Sequence, residues 1–334
     1  MGVMRFNRYR RTGRYLNGNY LVKSSSIGYA FFGLSKRALR IGEELKSEFP
    51  DSIDLKISDR CSHGCPFCHE SSTRNGKILN LGKTKKILSQ LPTKPIEIAV
   101  GGGNVLECLN ETDDIIEWLE ERGFRTRLTI TFDDLNGTGN MSQDKKIADL
   151  LNKVEGLGVS ITSLSAEVKK MINPSSKYIL NNIIDNTVIG KELSFGSPQI
   201  VYHVIAGITP LEDIKWMVEN TKGSILVLGY KQWGRALGTK LPDMTPLKTY
   251  LTSLIHSSTT DLRSLGFDNL AIEQLGVREI IGENKWKGIY LGEEGSCSMY
   301  IDAVKGEFAR TSRSKERVSW NDIKLLDYYA SLSS

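Results

Sequence analysis

Three cysteines lie close together early in the chain, and their side chains are the strongest candidates for chemistry. Cys61, Cys65 and Cys68 have the spacing C-x3-C-x2-C. Thiolates are soft ligands that favour zinc or iron–sulfur centres. A structural zinc site usually has four protein ligands, whereas this loop supplies three thiolates and leaves one coordination position open. A zinc site completed by His63 or His69 is the alternative interpretation.

The overall use of cysteine indicates the cellular compartment. The 334 residues include only five cysteines, an odd number. Secreted disulfide proteins pair their cysteines across the chain, so this pattern predicts a reducing, cytoplasmic location and a metal or redox site. The longest apolar runs, such as residues 96–100, are too short to span a bilayer, and no signal-peptide pattern follows the basic N-terminus. We therefore expect no membrane association.

The elements that must position the cysteines alternate between β-rich runs and longer helical patterns. Strands are predicted at residues 53–58, 96–100, 127–132, 159–163, 199–205 and 224–228. Helices are predicted at residues 84–91, 113–121, 143–154, 166–172 and 210–220, the last with Pro210 as its first residue. This alternation predicts parallel strands joined by right-handed crossovers.

Six such units predict an α/β fold with a sheet curled into a partial (β/α)6 barrel; an open doubly wound sheet is the structural alternative. In both layouts, ligands lie beyond the carboxyl ends of the strands. The cysteine loop after Ser58 and the glycine run after Val100 both fall there.

The ends of the chain differ from this pattern and predict small extensions. Residues 1–50 form a basic N-terminal extension, with a hairpin from residues 19–23 and 29–32 and a helix over residues 36–49. The barrel occupies residues 51–235. Residues 236–334 form a C-terminal extension that is mainly helical over residues 245–280 and ends in a hairpin of residues 299–304 and 307–311 around Lys305-Gly306.

The cysteine motif, its place after the first barrel strand and the aromatic Phe67 before the last cysteine resemble the radical S-adenosylmethionine (SAM) superfamily. The resemblance implies that Cys61, Cys65 and Cys68 hold a [4Fe–4S] cluster whose open iron binds SAM. It implies reductive cleavage of SAM to a 5′-deoxyadenosyl radical that abstracts a substrate hydrogen. It also implies an external one-electron donor of the flavodoxin or ferredoxin type.

The same resemblance suggests where SAM binds. Gly101, Gly102 and Gly103 stand where the superfamily carries a Gly-Gly-Glu motif, so backbone contact with SAM is implied, and Asn104 or Glu107 would supply a side-chain contact. Because glycine permits close approach, Gly102→Val should weaken SAM binding and leave iron content intact. The remaining implied contacts follow the later strands: Ser163, Ser165, Gly207, Ile208 and Tyr230.

The loop after the sixth strand falls at the catalytic face and makes Lys231, Trp233 and Arg235 candidates for substrate contact. Cys108 and Cys297 remain outside the cysteine motif. Two distant cysteines cannot hold a second iron–sulfur cluster, which needs three or four. Cys297 is a candidate hydrogen donor to a substrate radical, with a half-buried free thiol as the alternative.

The charge distribution bears on the partners. The formal net charge is +5, yet residues 1–40 contain nine Lys or Arg and no Asp or Glu, so the remainder carries −4. A basic segment with interleaved aromatic residues suits nucleic acid or an acidic peptide, and a hairpin that closes the barrel is the third reading. Neutralising Arg8, Arg10 and Arg11 would test the first two.

The expected function is a radical SAM enzyme that acts on a peptide or small protein. A nucleotide or nucleic-acid base is the second substrate class. A non-catalytic metal-cluster module that binds RNA is the alternative from another class.

Overall fold

The computed structural model describes residues 13–18, 20–25, 28–33, 47–171, 187–193, 198–221, 223–257, 262–290 and 293–332. The strands are β1 (Gly13–Asn17), β2 (Tyr20–Ser25), β3 (Gly28–Gly33), β4 (Ser52–Ser58), β5 (Glu97–Gly102), β6 (Arg125–Thr131), β7 (Gly156–Ser160), β8 (Gln199–Ile205), β9 (Ser224–Leu228), β10 (Ser264–Phe267), β11 (Ser298–Asp302), β12 (Glu307–Ala309) and β13 (Val318–Ser319).

Ten helices accompany the strands in the described part of the chain. They are α1 (Leu81–Leu88), α2 (Leu109–Glu121), α3 (Met141–Lys153), α4 (Ala166–Met171), α5 (Leu211–Asn220), α6 (Thr245–His256), α7 (Asn269–Leu275), α8 (Val277–Ile281), α9 (Glu283–Ile289) and α10 (Leu325–Ser331). Within these ranges, no helix combines the length and apolar character that crossing a bilayer requires.

Ten of the strands form one sheet in the order β10-β9-β8-β7-β6-β5-β4-β11-β12-β13. Strands β4 to β9 are parallel neighbours in chain order, as the alternation of strands and helices predicts. The sheet curls, and a contact between its distant strands shows this. The backbone N–H of Arg235, in the loop after β9, donates to the carbonyl of Cys68, in the loop after β4, at 3.0 Å. The predicted partial (β/α)6 barrel is therefore confirmed.

Alternation along the strands separates a core face from a lumen face. Ile53, Leu55 and Ile57 of β4 are at most 1% exposed and point toward the helices, whereas Asp54 and Lys56 lie on the other face. Each fully buried aliphatic side chain contributes about 1.5–3 kcal/mol through removal of apolar surface from water. The core thus fixes which side of β4 faces the lumen.

The C-terminal segment differs from the expectation. The predicted hairpin is present as β11 and β12, but β11 also pairs in parallel with β4 and so extends the barrel sheet. Residues 245–280, predicted mainly helical, contain β10, which pairs with β9. This strand has only four residues and contains Gly266, so it is too short to show an alternation of apolar and polar residues. The division of the chain at residues 50 and 235 stays a prediction.

The N-terminal segment contains the predicted hairpin within a small antiparallel sheet. The predicted hairpin is β2 with β3, and β1 adds a third antiparallel strand. Buried Asn17 ties this small sheet to the start of β4, since its Nδ2 donates to Phe49 O at 2.8 Å and to Asp51 Oδ1 at 2.9 Å. The predicted helix over residues 36–49 lies mostly outside the described residues. Pro210 is the N-cap of α5, one residue before its predicted position.

Candidate functional site

The cysteine loop begins where β4 ends, at the carboxyl edge of the barrel. The N–H of Cys61 donates to Thr73 O at 2.9 Å, and the N–H of Cys68 donates to Cys65 O at 3.2 Å. The loop then returns to the strand, because Leu79 N donates to Ile57 O at 2.8 Å. The three cysteines are therefore carried by one closed loop with both ends fastened to β4.

The three thiols are free and partly exposed. Burial raises the pKa of Cys61 and of Cys65, and the neighbouring cysteines raise both further. No group of three His, Cys, Asp or Glu side chains converges into a ready-made metal site among the described residues. Three thiols on one loop nevertheless match the donor set of a [4Fe–4S] cluster with one open iron.

The zinc alternative requires a histidine as fourth ligand, and both candidates are engaged elsewhere. His63 Nε2 lies 3.2 Å from Asp134 Oδ1, and His69 Nε2 lies 3.4 Å from Glu70 Oε1. The geometry favours three cysteine ligands over a closed site with histidine.

Glu107 and Asn104 hold the first half of the cysteine loop. Glu107 Oε1 accepts from both the N–H and the hydroxyl of Ser62, at 2.7 and 2.6 Å. Asn104 caps the following 3-10 turn through Leu106 N at 3.0 Å and donates to Asp134 Oδ1 at 2.9 Å. Asn104 and Glu107, the two alternatives for a side-chain contact with SAM, thus both bind protein groups in this structure, and that contact stays a prediction.

The glycine run divides into three positions with different surroundings. A Cβ on Gly102, at φ +128°, would lie 2.5 Å from Ser58 O, and one on Gly103 would collide with Arg60 O. Gly103 N and Asn104 N donate to Ser58 O and Arg60 O, each at 2.6 Å. These glycines fit the base of the cysteine loop, whereas a Cβ on Gly101 meets nothing within 4 Å.

From the sequence, Gly102→Val is expected to weaken SAM binding while leaving iron content intact. Because a Cβ at Gly102 collides with Ser58 O, this combined result is expected of Gly101→Val instead. We expect Gly101→Val to weaken SAM binding at least tenfold, because its side chain enters the open space at the strand end, and to retain iron. Gly103→Val should lose both iron and stability, since it displaces the Arg60 carbonyl. Equilibrium SAM binding and iron content measure the two effects. Wild-type SAM affinity in Gly101→Val would remove this strand end from the site.

The loop after β9 reaches across the barrel to the cysteine loop. Arg235 Nε donates to Cys65 O at 2.8 Å, and Nη1 donates to Ser72 O at 2.6 Å. Lys231 Nζ lies 3.4 Å from His69 Nε2 and 3.2 Å from Ser312 Oγ. Of the three residues predicted to contact substrate, Arg235 thus binds the cysteine loop, while Trp233 is exposed.

The later predicted SAM contacts lie at the carboxyl edge with varied partners. Ser163 is exposed, and Ser165 Oγ accepts from Val168 N at 3.3 Å at the start of α4. Gly207, at φ +75°, lies against the Pro242 ring, and Ile208 follows in the same turn, its N–H donating to Ile205 O at 3.0 Å. These contacts give Ser165, Gly207 and Ile208 local structural roles, and the SAM contacts of all four residues stay predictions.

Tyr230 is a core residue rather than an open pocket wall. It is 5% exposed, and its hydroxyl lies 2.9 Å from Thr239 Oγ1. Its backbone is fixed by Gln274, whose Oε1 accepts from Tyr230 N at 2.8 Å. This packing sets the direction of the loop that follows.

The lumen face carries titratable side chains. Residues paired in register share a face, which places Asp54 of β4, Arg127 of β6 and His203 of β8 on the lumen side. Gly156 and Gly158 make room for them: a Cβ at Gly156 would lie 2.7 Å from Arg127 Nη1, and one at Gly158 would collide with the His203 ring.

The lumen perturbs two titrating groups. Desolvation inside the barrel raises the pKa of Asp54 to about 6, although its side chain is exposed to the open lumen; the charge of Lys231 opposes the shift and nearby carboxylates add to it. Burial lowers the pKa of His203 to about 4, and the positive charge of Arg127 lowers it further. Arg127 is itself held by Glu97 at 2.6 Å.

Asp54 should make stability depend on pH. Its folded pKa lies above the unfolded value of 3.8, so ionisation costs stability as the pH rises from about 4 to about 6. We expect Asp54→Asn to raise the unfolding temperature more at pH 7 than at pH 4. Thermal unfolding at both pH values measures this, with exposed Asp149→Asn as control. An equal difference at both pH values would contradict the assigned pKa.

A buried ion cluster behind the cysteine loop escaped the sequence analysis. Lys56 Nζ lies 2.6 Å from Asp59 Oδ1, 2.5 Å from Glu70 Oε2 and 3.3 Å from Asp302 Oδ2. The carboxylates and their hydrogen bonds more than offset burial and raise the pKa of Lys56. The cluster joins β4, the cysteine loop and β11; Tyr300 extends it to Glu70 at 3.4 Å. The sequence does not reveal this cluster, because it is complete only when β11 pairs with β4 in the folded sheet.

Cys297 lies at the wrong end of the barrel for the predicted hydrogen donor. It directly precedes β11, whose first residue Ser298 pairs with Ser52 at the start of β4. The cysteine loop lies beyond the other end of β4, about 20 Å away at 3.3 Å per residue. Cys108 is buried at 3% exposure, and its thiol lies 3.5 Å from Val105 O. Neither supports a role at the reacting atoms.

The basic segment falls largely outside the described residues. Arg8, Arg10 and Arg11 belong to residues 1–12, and Lys36, Arg37 and Arg40 belong to residues 34–46. Binding of nucleic acid or an acidic peptide through this segment stays a prediction.

Comparison with known proteins agrees with the fold and the cysteine loop. The Radical SAM superfamily model matches residues 55–215, which include the three cysteines and β4 to β8. Residues 55–215 are therefore a radical SAM domain, the domain of an enzyme superfamily. No curated protein sequence matches the chain.

Solved structures similar to this chain include SuiB of Streptococcus suis in three forms. SuiB bound to the precursor peptide SuiA is 14% identical with a TM-score of 0.58, covering 90% of this chain and 70% of that one. SuiB bound to S-adenosylmethionine is 15% identical with a TM-score of 0.55, covering 90% and 71%. SuiB alone is 13% identical with a TM-score of 0.58, covering 95% and 86%. At these identities, the likeness shows the fold.

Proposed function

We propose that this chain is a cytoplasmic radical SAM enzyme that modifies a peptide or small protein. The observation that carries the substrate class is the extent of the structural likeness. The superfamily model covers residues 55–215, whereas the likeness to SuiB, a protein solved with a precursor peptide, covers 90% of this chain. It therefore includes segments outside the superfamily domain.

Cys61, Cys65 and Cys68 would hold a [4Fe–4S] cluster, and the backbone at Gly101 would contact SAM. When bound, cluster and SAM supply the 5′-deoxyadenosyl radical that abstracts hydrogen from substrate. The chain's own task is to fix the cysteine loop, through Glu107 on one side and Arg235 on the other. A reactive radical also requires held geometry and exclusion of water.

The substrate would enter the lumen from the carboxyl edge. Trp233 is exposed in the loop after β9, and the positive charge of Lys231 in the same loop acts on the lumen carboxylate of Asp54. A peptide side chain extending from the edge into the lumen would meet an apolar surface first and charged groups next. A reduced flavodoxin or ferredoxin would deliver the electron.

The test is anaerobic reconstitution with iron and sulfide, reduction by dithionite and measurement of 5′-deoxyadenosine. Peptides encoded by neighbouring genes are synthesised, and their effect on the rate of SAM cleavage is compared with that of nucleosides and oligonucleotides. Mass spectrometry then shows whether the added peptide, nucleoside or oligonucleotide has changed mass. We expect a peptide to accelerate cleavage and to change mass. A nucleoside or oligonucleotide that is modified while peptides are inert would overturn the peptide assignment. Cys61→Ala is the negative control.

A further inference from the structure

Arg235 uses two of its three guanidinium nitrogens to bind the second half of the cysteine loop. Nε donates to the carbonyl of Cys65 at 2.8 Å, and Nη1 donates to that of Ser72 at 2.6 Å. Its backbone N–H donates to Cys68 O at 3.0 Å. Arg235 by itself therefore binds the backbone of both cysteines in the C-x2-C half of the motif and the end of the loop at Ser72.

The approach of this residue is fixed by the glycine before it. Gly234 has φ +58°, and a Cβ there would lie 2.5 Å from His69 O and 2.6 Å from Cys68 O. Ala236, on the other side, is fully buried. The two loops thus touch backbone to backbone, which leaves the guanidinium little freedom to move away.

The third nitrogen, Nη2, is buried and has no acceptor among the described residues. Buried donors are nearly always paired, and an arginine cannot lose its proton to relieve the deficit. The adjoining Ser72 hydroxyl is also buried without a partner. Two buried polar atoms without partners, at the place where Arg235 binds the backbone of Cys65 and Ser72, point to a further group with acceptor atoms.

We propose that Arg235 positions the cysteine loop and directs Nη2 as a hydrogen-bond donor to a sulfur of the cluster held by Cys61, Cys65 and Cys68. The potential of an iron–sulfur cluster depends on nearby charge and on hydrogen bonds to its sulfurs. A cationic donor stabilises the more negative, reduced cluster, so Arg235 raises its reduction potential. This inference rests on cluster binding by the proposed enzyme and is independent of the peptide substrate.

The experiment compares Arg235→Gln, Arg235→Lys and the charge-matched control Lys240→Gln, an exposed position in the same region. Each protein is reconstituted anaerobically and studied without SAM or peptide. Three quantities are measured: the cluster midpoint potential by EPR-monitored titration, the rate of iron loss to a chelator, and the unfolding temperature of the iron-free protein.

We expect Arg235→Gln to shift the midpoint potential to more negative values and to lose iron several-fold faster than the control. Arg235→Lys keeps the charge but lacks the planar fork that spans two carbonyls. It should therefore retain more of the potential while losing iron as fast as Arg235→Gln. A purely structural role of Arg235 would not separate the midpoint potential from iron retention in this way. The unfolding temperature of the iron-free protein measures any structural damage.

An unchanged potential in both variants overturns the proposal, whatever happens to iron retention. If Arg235→Gln does not fold, wild-type potential and iron retention in Arg235→Lys overturn it equally. A separate measurement of SAM affinity covers the remaining case: an unchanged potential with weaker SAM binding would assign Nη2 to SAM and would also overturn the proposal. Failure of every peptide to react would refute the substrate class alone, because none of these measurements uses peptide.

Discussion

Replacing Cys61, Cys65 or Cys68 with alanine is expected to abolish both the iron–sulfur absorbance and SAM cleavage. A cluster held by three protein thiolates loses one of its ligands, and the two nearby histidines, His63 and His69, contact Asp134 and Glu70 instead. Iron content, visible absorbance and 5′-deoxyadenosine formation after anaerobic reconstitution measure the effect.

The matched control is Cys297→Ala, which removes a thiol at the opposite end of β4. This variant should bind as much iron as the unaltered protein. Full iron content and SAM cleavage in Cys61→Ala would refute the ligand assignment.

Removing the positive charge of Lys56 should produce the largest change in stability. Lys56→Met leaves three carboxylates without their cation, and Asp302 among them is 1% exposed. Breaking a buried ion pair by deleting one partner costs about 3–5 kcal/mol. Urea unfolding of the iron-free protein measures this free energy.

Two further variants separate the ion cluster from general damage. Lys86→Met, on the exposed face of α1, should change the free energy of unfolding by no more than about 0.5 kcal/mol. Lys56→Met combined with Asp302→Asn should recover part of the loss, because one unpaired buried charge disappears. Equal stability of Lys56→Met and wild type would contradict the ion cluster.

Local patterns predicted the barrel strands well. Strands β8 and β9 begin and end at the residues expected from the sequence, because each run rich in β-branched residues is followed within two residues by a glycine, Gly207 or Gly229. The cysteine spacing located the site for a similar reason: all three side chains come from one short segment. In each case the information lies within a few neighbouring residues.

The features that the sequence did not reveal depend on residues far apart in the chain. The pairing of β11 with β4 depends on the completed sheet. The contact of Arg235 with Cys65 depends on how far the sheet curls. The same holds for Gly102 and Gly103, whose importance comes from the Ser58 and Arg60 carbonyls against them. Residue type alone could not distinguish these roles from open loop positions.

The place of β11 beside β4 has a consequence for biosynthesis. The first strand of the barrel waits for a partner near the far end of the chain, so the emerging polypeptide carries β4 with one unpaired edge until β11 has been synthesised. Such distant pairings slow folding, and an open strand edge invites association between incomplete chains. Ribosome-bound or truncated forms ending before residue 298 are accordingly expected to need chaperone protection that the completed chain does not.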